Sequence, residues 1–231
     1  LYHQPDGTPS LPASSRSHAP ELCRKYNPGF SIRVWNETEA RGFIETEYPW
    51  FTRTYNAYKH PIQRVDALKY FVLYHFGGVY MDLDIACRRP LEPLLHVAAW
   101  FPAASPLGVN NDLMAAMPRH PVLLEMTSAL AHRNWDLVFP YLTIFWSTGP
   151  QFSSDVLKGW WWRHGARMGG NGEYWRECMS LDRLIANTMR RHGELSHSPA
   201  DLLLGGVYFL WTQPWWYLAW RRCCRCFVVC R

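Results

Sequence analysis

Asp82 and Asp84, two residues apart in the stretch "HFGGVYMDLD" at residues 75–84, are the side chains in this sequence best suited to chemistry. In an extended strand side chains alternate between faces, so Tyr80, Asp82 and Asp84 project one way and Val79, Met81 and Leu83 the other. Two carboxylates side by side repel each other unless something positive lies between them. A divalent cation such as Mg2+ or Mn2+ takes hard oxygen ligands, typically one or two carboxylates with phosphate oxygens and water completing the shell. It would stabilise the negative charge that develops on a departing diphosphate. Asp82 and Asp84 are therefore the candidate metal ligands and catalytic residues.

Just upstream, "PIQRVDALKY" carries Arg64, Asp66 and Lys69. Asp66 and Lys69 are three apart and share a helix face. They either form a solvated ion pair or, beside two metal-binding carboxylates, orient a sugar and neutralise phosphate. Gly77 and Gly78 allow a tight turn and a close approach of backbone to a nucleotide. A glycosidase also uses two carboxylates, but those flank the scissile bond from opposite sides. Two aspartates on one face suit a shared cation better.

The elements that must position these groups follow from capping and periodicity. "FSIRVW" alternates and predicts a short strand. In "NETEARGFIETEYPW", Asn36 and Glu39 form a capping-box pattern and Pro49 marks the helix end. After Pro61 a helix is expected from Ile62 to Phe76, with Val65, Leu68 and Val72 on one stripe and Gly77 stopping it. A strand from Val79 to Leu83 follows. Helix, glycine turn and strand make half of an α/β unit. Beyond it, "RRPLEPLL" is a turn-rich connection and "VAAWF" a strand. "NNDLMAAMPRHPVLLEMTSALAHRN" predicts a short helix, a proline break, then a helix over Val122–His132. A Thr-Gly-Pro turn opens another helical run in "WSTGPQFSSDVLKGWWWRHG".

The chain has 231 residues, enough for one α/β domain with its own core, assigned to residues 1–200. The opening "LYHQPDGTPSLPASS" reads as starting partway into that domain, with any N-terminal anchor out of view. Its 13 Trp, 12 Tyr and 11 Phe fit either carbohydrate or lipid contact or an aromatic-rich core. A net charge of +5 without a basic-aromatic module excludes a nucleic-acid partner.

Residues 201–231 form an apolar segment and an Arg/Cys tail. Leu202 to Trp220 carries no formal charge, and as a helix it would span roughly 28 Å, near the thickness of a bilayer core. It is read as a membrane-associated helix, either spanning or lying as an interfacial aromatic helix. Arg221, Arg222 and Arg225 behind it favour a cytosolic tail and a domain on the opposite, lumenal side. Four of the seven cysteines lie in that tail, as S-palmitoylation sites or unmodified thiols. Cys23, Cys87 and Cys178 do not amount to a disulfide framework.

"PIQRVDALKYFVLYHFGGVYMDLD" resembles the signature of glycosyltransferases with the DXD sugar-binding region. With "CRKYNPGFSIRVWNETEARGFIETEYPWF", "NNDLMAAMPRHPVLLEMT" and "PYLTIFWSTGPQFSSDVL", over roughly residues 20–160, the chain resembles fungal inositol phosphoceramide mannosyltransferases. The resemblance implies a GT-A fold, a Rossmann-type mixed sheet with flanking helices. It also implies GDP-mannose as donor, Mn2+ (or Mg2+) dependence, and retention at the anomeric carbon. A sphingolipid acceptor, inositol phosphoceramide, a Golgi membrane location and a regulatory membrane subunit as partner belong to the same expectation. On this chain Asp82 and Asp84 match the metal and diphosphate aspartates, and Asp66 the aspartate that contacts the donor sugar. Tyr80 joins the donor-binding set, and Asn111, Asp112 and the turn Ser147-Thr148-Gly149-Pro150 match segments lining the site.

Two departures stand out. Lys69 occupies a position where the family usually has arginine, replacing a bidentate fork by a point charge. The family's late Ser-Trp-His stretch, whose histidine is expected to complete the metal site, is missing, and His197 is the only nearby substitute. A non-catalytic, membrane-anchored sugar-nucleotide-binding or assembly subunit therefore stays open, as does a mannosyltransferase acting on a glycan.

Overall fold

The computed structural model describes residues 19–83, 85–102, 104, 108–164, 189–191 and 226–229. Helix α1 (Ala19–Tyr26) is followed by α2 (Glu37–Glu47), α3 (Pro49–Ala57) and α4 (Pro61–Phe76). Strands β1 (Gly78–Met81) and β2 (Ile85–Cys87) come next, then β3 (Ala99–Pro102), β4 (Leu113–Ala116), α5 (Pro121–Leu130), α6 (Pro140–Ser147) and α7 (Pro150–His164). Two short strands, β5 (Met189–Arg191) and β6 (Cys226–Val229), complete the described elements.

Local sequence explains most helix ends. The Asn36 side chain accepts from the Glu39 amide and the Glu39 carboxylate from the Asn36 amide, the reciprocal box expected at the start of α2. Proline stands at the first position of α3, α4, α5 and α6, where its missing N–H costs nothing. Gly77 ends α4 with φ of 69°, and a Cβ there would come within 2.5 Å of Pro118. Glycine at that position closes the helix and admits the proline.

The main sheet has the order β1-β4-β3-β6 and a second pairing joins β2 to β5. Every described pairing is antiparallel, with Met81 opposite Leu113, Trp100 opposite Ala115 and Ala99 opposite Val229. The chain is thus α/β in content, but the parallel strands of a mixed sheet are not among the described residues. Both faces of the sheet are covered. Tyr80, Ala99, Phe101, Met114 and Ala116 face a core built from α2, α3, α4, α5 and α7. Val79, Met81, Trp100, Leu113 and Ala115 face a second core with Cys23, Ile85, Cys87, Leu91 and Leu94.

That double burial corrects one expectation. "LMAA", expected to be a short helix, is the central strand β4. A strand buried on both faces shows an unbroken apolar run, which periodicity does not separate from a buried helix. "FSIRVW" forms no ladder among the described residues. Ile32 leans on the second core, Trp35 on the first, and the Arg33 guanidinium lies 3.8 Å from the Trp35 ring. The structure also links Cys23 to Cys87 as a disulfide, across 64 residues, where no disulfide was expected. Two cysteines far apart in sequence show no spacing signal, and their meeting follows from α1 packing on β2.

Among the described residues, part of the aromatic load is interior. Phe51, Tyr55, Tyr58, Tyr70, Phe71, Phe101 and Phe152 are buried in the first core. No helix among the described residues is long and apolar enough to cross a membrane, and the apolar run 202–220 lies outside them. Cys226–Val229 pairs with β3 in the main sheet.

Candidate active site

Helix α4 sets one wall of the site. Gln63, Asp66, Lys69 and Tyr70 lie three and four residues apart, so they share a stripe, and all four are buried. The opposing wall is the junction of α6 and α7 and the segment before β4. Gly149 makes that junction possible: a Cβ there would stand 3.0 Å from the Ile144 carbonyl oxygen and the Phe145 Cα. Gln63 Nε2 donates to Ser147 Oγ at 2.8 Å, and the Tyr70 hydroxyl donates to the Thr148 carbonyl at 2.8 Å. These bonds tie the turn Ser147-Thr148-Gly149-Pro150 to α4.

At the centre is an ion pair of Lys69 with Asp66, Nζ to Oδ1 2.7 Å. It is not the solvated surface pair that its helix spacing most often denotes, because the Lys69 side chain is 2% exposed and that of Asp66 9%. A charge so deeply buried persists only when paired and hydrogen-bonded. Lys69 Nζ also donates to the Asn111 carbonyl at 3.0 Å and lies 3.9 Å from Asp82 Oδ1. Thr148 Oγ1 donates to Asp66 Oδ2 at 3.3 Å, while Asn111 Nδ2 lies within bonding distance of Asp66 Oδ1, the Tyr70 hydroxyl and the Thr148 carbonyl. Burial pushes the Asp66 carboxyl above the usual carboxylate range, and Lys69 offsets part of that. Burial alone would lower Lys69, but the carboxylates of Asp66 and Asp82 outweigh it and hold the ammonium well above its ordinary value.

Asp82 follows the last residue of β1. The strand ends at Met81 rather than running to Leu83, and the Ile85 amide donates to the Asp82 carbonyl at 3.0 Å, so the acidic motif rides on a tight turn. Asp84 lies outside the described residues. The Asp82 amide donates to the Asp112 carbonyl at 2.8 Å, continuing the register of β1 with β4. Tyr80, on the same face two residues earlier, donates its hydroxyl to Asp82 Oδ1 at 2.8 Å, and its ring lies 5.2 Å from Lys69 Nζ. The Asp82 side chain is 36% exposed. Its Oδ2 accepts no hydrogen bond from the described residues. A partly exposed carboxylate on a turn, with one oxygen fixed by a hydroxyl, fits a hard divalent cation.

The other expected donor-binding residues divide. Tyr80, Lys69, Asp66, Asn111 and the Thr148-Gly149 turn converge on one place with Asp82. Asn110 Nδ2 holds the Asp112 side chain at 3.5 Å, and the Asp112 carbonyl belongs to the same corner. Arg64 points elsewhere: Nη1 donates to the Tyr58 carbonyl at 3.1 Å and Nη2 pairs with Glu37 at 3.5 Å. Gly77 and Gly78 stand at the opposite end of β1 from Asp82, about 13 Å away for Gly78 by strand rise. They shape the helix-to-strand turn rather than the site. His197 and Asp84 are the expected residues on which the structure is silent. Gln63 and Tyr70 were not singled out from the sequence. Their signal was available only as polar residues on the inward stripe of α4.

The second core braces the acidic turn from beneath. Cys23 Sγ bonds to Cys87 Sγ and lies 3.6 Å from Met81 Sδ, so one residue of α1 touches the chain on both sides of the turn. Asn27 adds a clamp, donating to the Cys23 carbonyl and accepting from the Leu91 amide at 2.7 Å.

Comparison with known proteins gives the following similarities. Residues 14–100 match the model of the glycosyltransferase sugar-binding region containing the DXD motif. The chain is 42% identical over 158 residues to the mannosyl phosphorylinositol ceramide synthase SUR1 of Saccharomyces cerevisiae, covering 68% of this chain and 41% of that protein. It is 41% identical over 142 residues to the inositol phosphoceramide mannosyltransferase 3 of Schizosaccharomyces pombe, covering 62% of this chain and 40% of that protein. The chain thus spans about two fifths of the length of the curated relatives it matches. A solved structure, PaToxG glycosyltransferase, superposes with a TM-score of 0.46 at 13% identity over 79% of this chain and 75% of that one, too distant to bear on the site.

Proposed function

We propose that this chain, a relative of the DXD-containing glycosyltransferases, transfers mannose from GDP-mannose to inositol phosphoceramide, retaining configuration at the anomeric carbon, within a GT-A fold. The observation that carries the reading is the meeting of Asp82, on its exposed turn, with the buried Lys69–Asp66 pair and Tyr80. Sequence identity to proteins named for mannosyl transfer to inositol phosphoceramide supports the choice of sugar and acceptor.

In this reading Asp82 and Asp84 would hold Mn2+ or Mg2+, which would supply positive charge to the leaving diphosphate. Tyr80 orients the Asp82 carboxylate. Asp66 presents its narrow exposed edge to the donor sugar, and Lys69 offsets part of the cost of burying that carboxylate and aims it. Asn111 and Thr148 fix the pair from the opposite wall. The working location is a Golgi membrane with the domain on the lumenal side, where a regulatory membrane subunit would also be met. The buried Cys23–Cys87 disulfide supports an oxidising compartment of that kind.

Purified protein should bind GDP in the presence of Mn2+ and release labelled mannose from GDP-mannose onto inositol phosphoceramide. Asp82→Asn should lower transfer at least a hundredfold while keeping the wild-type melting temperature, because the side chain lies at an exposed turn and not in a core. Near-full activity of that variant at limiting Mn2+ would overturn the assignment. The missing Ser-Trp-His stretch favours a second reading, a sugar-nucleotide-binding subunit. Binding of GDP with Mn2+ but no transfer to any lipid or glycan would select it.

A further inference from the structure

The side-chain amide of Asn111 can sit only one way. Its Nδ2 lies 3.4 Å from Asp66 Oδ1, 3.1 Å from the Tyr70 hydroxyl and 3.4 Å from the Thr148 carbonyl. A carboxylate and a carbonyl only accept, so the reverse orientation would set Oδ1 against two groups with nothing to donate. Oδ1 is therefore the end of the amide turned away from these three. It accepts no hydrogen bond from the described residues, and it stands beside Asp66.

Tyr70 is what holds the amide in that orientation. Its contact with Nδ2 is the shortest of the three, and its own hydroxyl is fixed by two further partners. The hydroxyl donates to the Thr148 carbonyl at 2.8 Å and lies 2.6 Å from Ser153 Oγ. A phenol has one proton to give. With that proton on the Thr148 carbonyl, only lone pairs remain for Asn111 and Ser153, both of which can donate. Burial pushes the Tyr70 phenol well above its ordinary range, so the proton stays in place. The ring is fully buried and meets Phe152 edge-on, with centroids 5.4 Å apart. Consecutive residues of α4 thus grip Asn111 at two points: Lys69 donates to its carbonyl at 3.0 Å, and Tyr70 accepts from its side chain.

We propose that Tyr70 is a positioning residue of the donor site, whose hydroxyl holds the Asn111 amide so that Oδ1 accepts from a hydroxyl of the donor sugar. This deepens the sugar-nucleotide reading above and rests on it. A neutral acceptor next to a carboxylate suits a hexose, whose neighbouring hydroxyls both donate. It offers nothing to a diphosphate, which carries acceptors only. The contribution of Tyr70 therefore belongs to the sugar and not to the nucleotide.

Calorimetric titration of the full chain with GDP and with GDP-mannose, both in the presence of Mn2+, tests the assignment, with melting temperatures recorded for each variant. Tyr70→Phe keeps the ring and removes the hydroxyl. It should bind GDP-mannose about three- to thirtyfold more weakly, the scale of a lost buried hydrogen bond, and GDP as wild type does. Asn111→Ala should show the same split. Tyr70→Phe added to Asn111→Ala should cost no further GDP-mannose affinity, because Tyr70 acts through Asn111; a merely structural tyrosine would add its loss. Ser153→Ala, which keeps the Tyr70 bonds to Thr148 and Asn111, should bind both as wild type. An unchanged GDP-mannose affinity in Tyr70→Phe, an equal loss for GDP, additive losses in the double variant or the same loss in Ser153→Ala each overturn this inference alone. If Tyr70→Phe does not fold, Asn111→Ala decides: a loss confined to GDP-mannose supports the proposal and an unchanged affinity overturns it. Failure of wild type to bind GDP-mannose overturns the sugar-nucleotide reading and this inference with it.

Discussion

Lys69 is the residue on which the site's electrostatics turn. From its position three after Asp66 it reads as half of an ordinary helix-surface pair; in the fold it is a buried cation between two carboxylates, 2.7 Å from one and 3.9 Å from the other. Removing it leaves Asp66 buried and unpaired, facing Asp82. Lys69→Met should therefore cost about 3–5 kcal/mol of stability, the usual scale for breaking a buried ion pair from one side. Urea unfolding measures this. Combining Lys69→Met with Asp66→Leu should recover most of the loss, because an apolar pair replaces an orphaned charge. A single variant as stable as wild type would mean that the pair is solvated after all. Tyr80 acts on a smaller scale, donating to Asp82 Oδ1 at 2.8 Å. Tyr80→Phe should weaken Mn2+ binding several-fold, read by titration without nucleotide, while leaving the melting temperature within a few degrees.

Among the elements, α1 and β2 form a unit that the acidic turn depends on. Their disulfide is buried together with Ile85 and Leu91, and Asn27 fastens the same helix to Leu91. Closing a loop of this length removes freedom from the unfolded chain, worth typically about 2–4 kcal/mol. Thermal unfolding with and without a thiol reductant should show a lower melting temperature in the reduced protein. A Cys23→Ser, Cys87→Ser double variant should match the reduced protein and ignore the reductant. An unchanged melting temperature on verified reduction would remove the disulfide from the stability of the domain. The same treatment should weaken Mn2+ binding, because Cys23 contacts the residues on both sides of the turn bearing Asp82.

Over the whole molecule, the aromatic interior sets a limit at high pH. Burial raises Tyr55 to about 12 and pushes Tyr58 and Tyr70 up as well. A group whose folded pKa lies above its unfolded value, about 10 for tyrosine, contributes stability that is complete below the unfolded pKa. That contribution is lost as pH rises through the folded value. Lys69, also raised, has the same sign. The melting temperature should thus hold steady up to about pH 10 and fall from there towards pH 12. Tyrosinate absorbance of the buried rings should rise with unfolding and not ahead of it. Their titration near pH 10 in the folded protein would contradict the burial.

Much of this arrangement was legible before any coordinates. The capping box at Asn36 and Glu39, Pro61 and Gly77 bounding α4, and the turn before Pro150 are local signals, written within a few residues of where they act. The alternation that puts Tyr80 with Asp82 is equally local. Other features depend on what packs against what. "LMAA" is a strand because both its faces are covered, and Lys69 is buried because the α6–α7 junction and Asn111 close over it. Arg64 left the candidate site because Glu37 and the Tyr58 carbonyl came within its reach. Cys23 found Cys87 across 64 residues, and β5 came beside β2 through a ladder of distant segments. Chain-local sterics and hydrogen bonds determine caps, turns and face parity, so the sequence alone determined the motif and its helix. Burial and long-range pairing are properties of the assembled layers, so only the tertiary structure decided which charges lie inside and which meet.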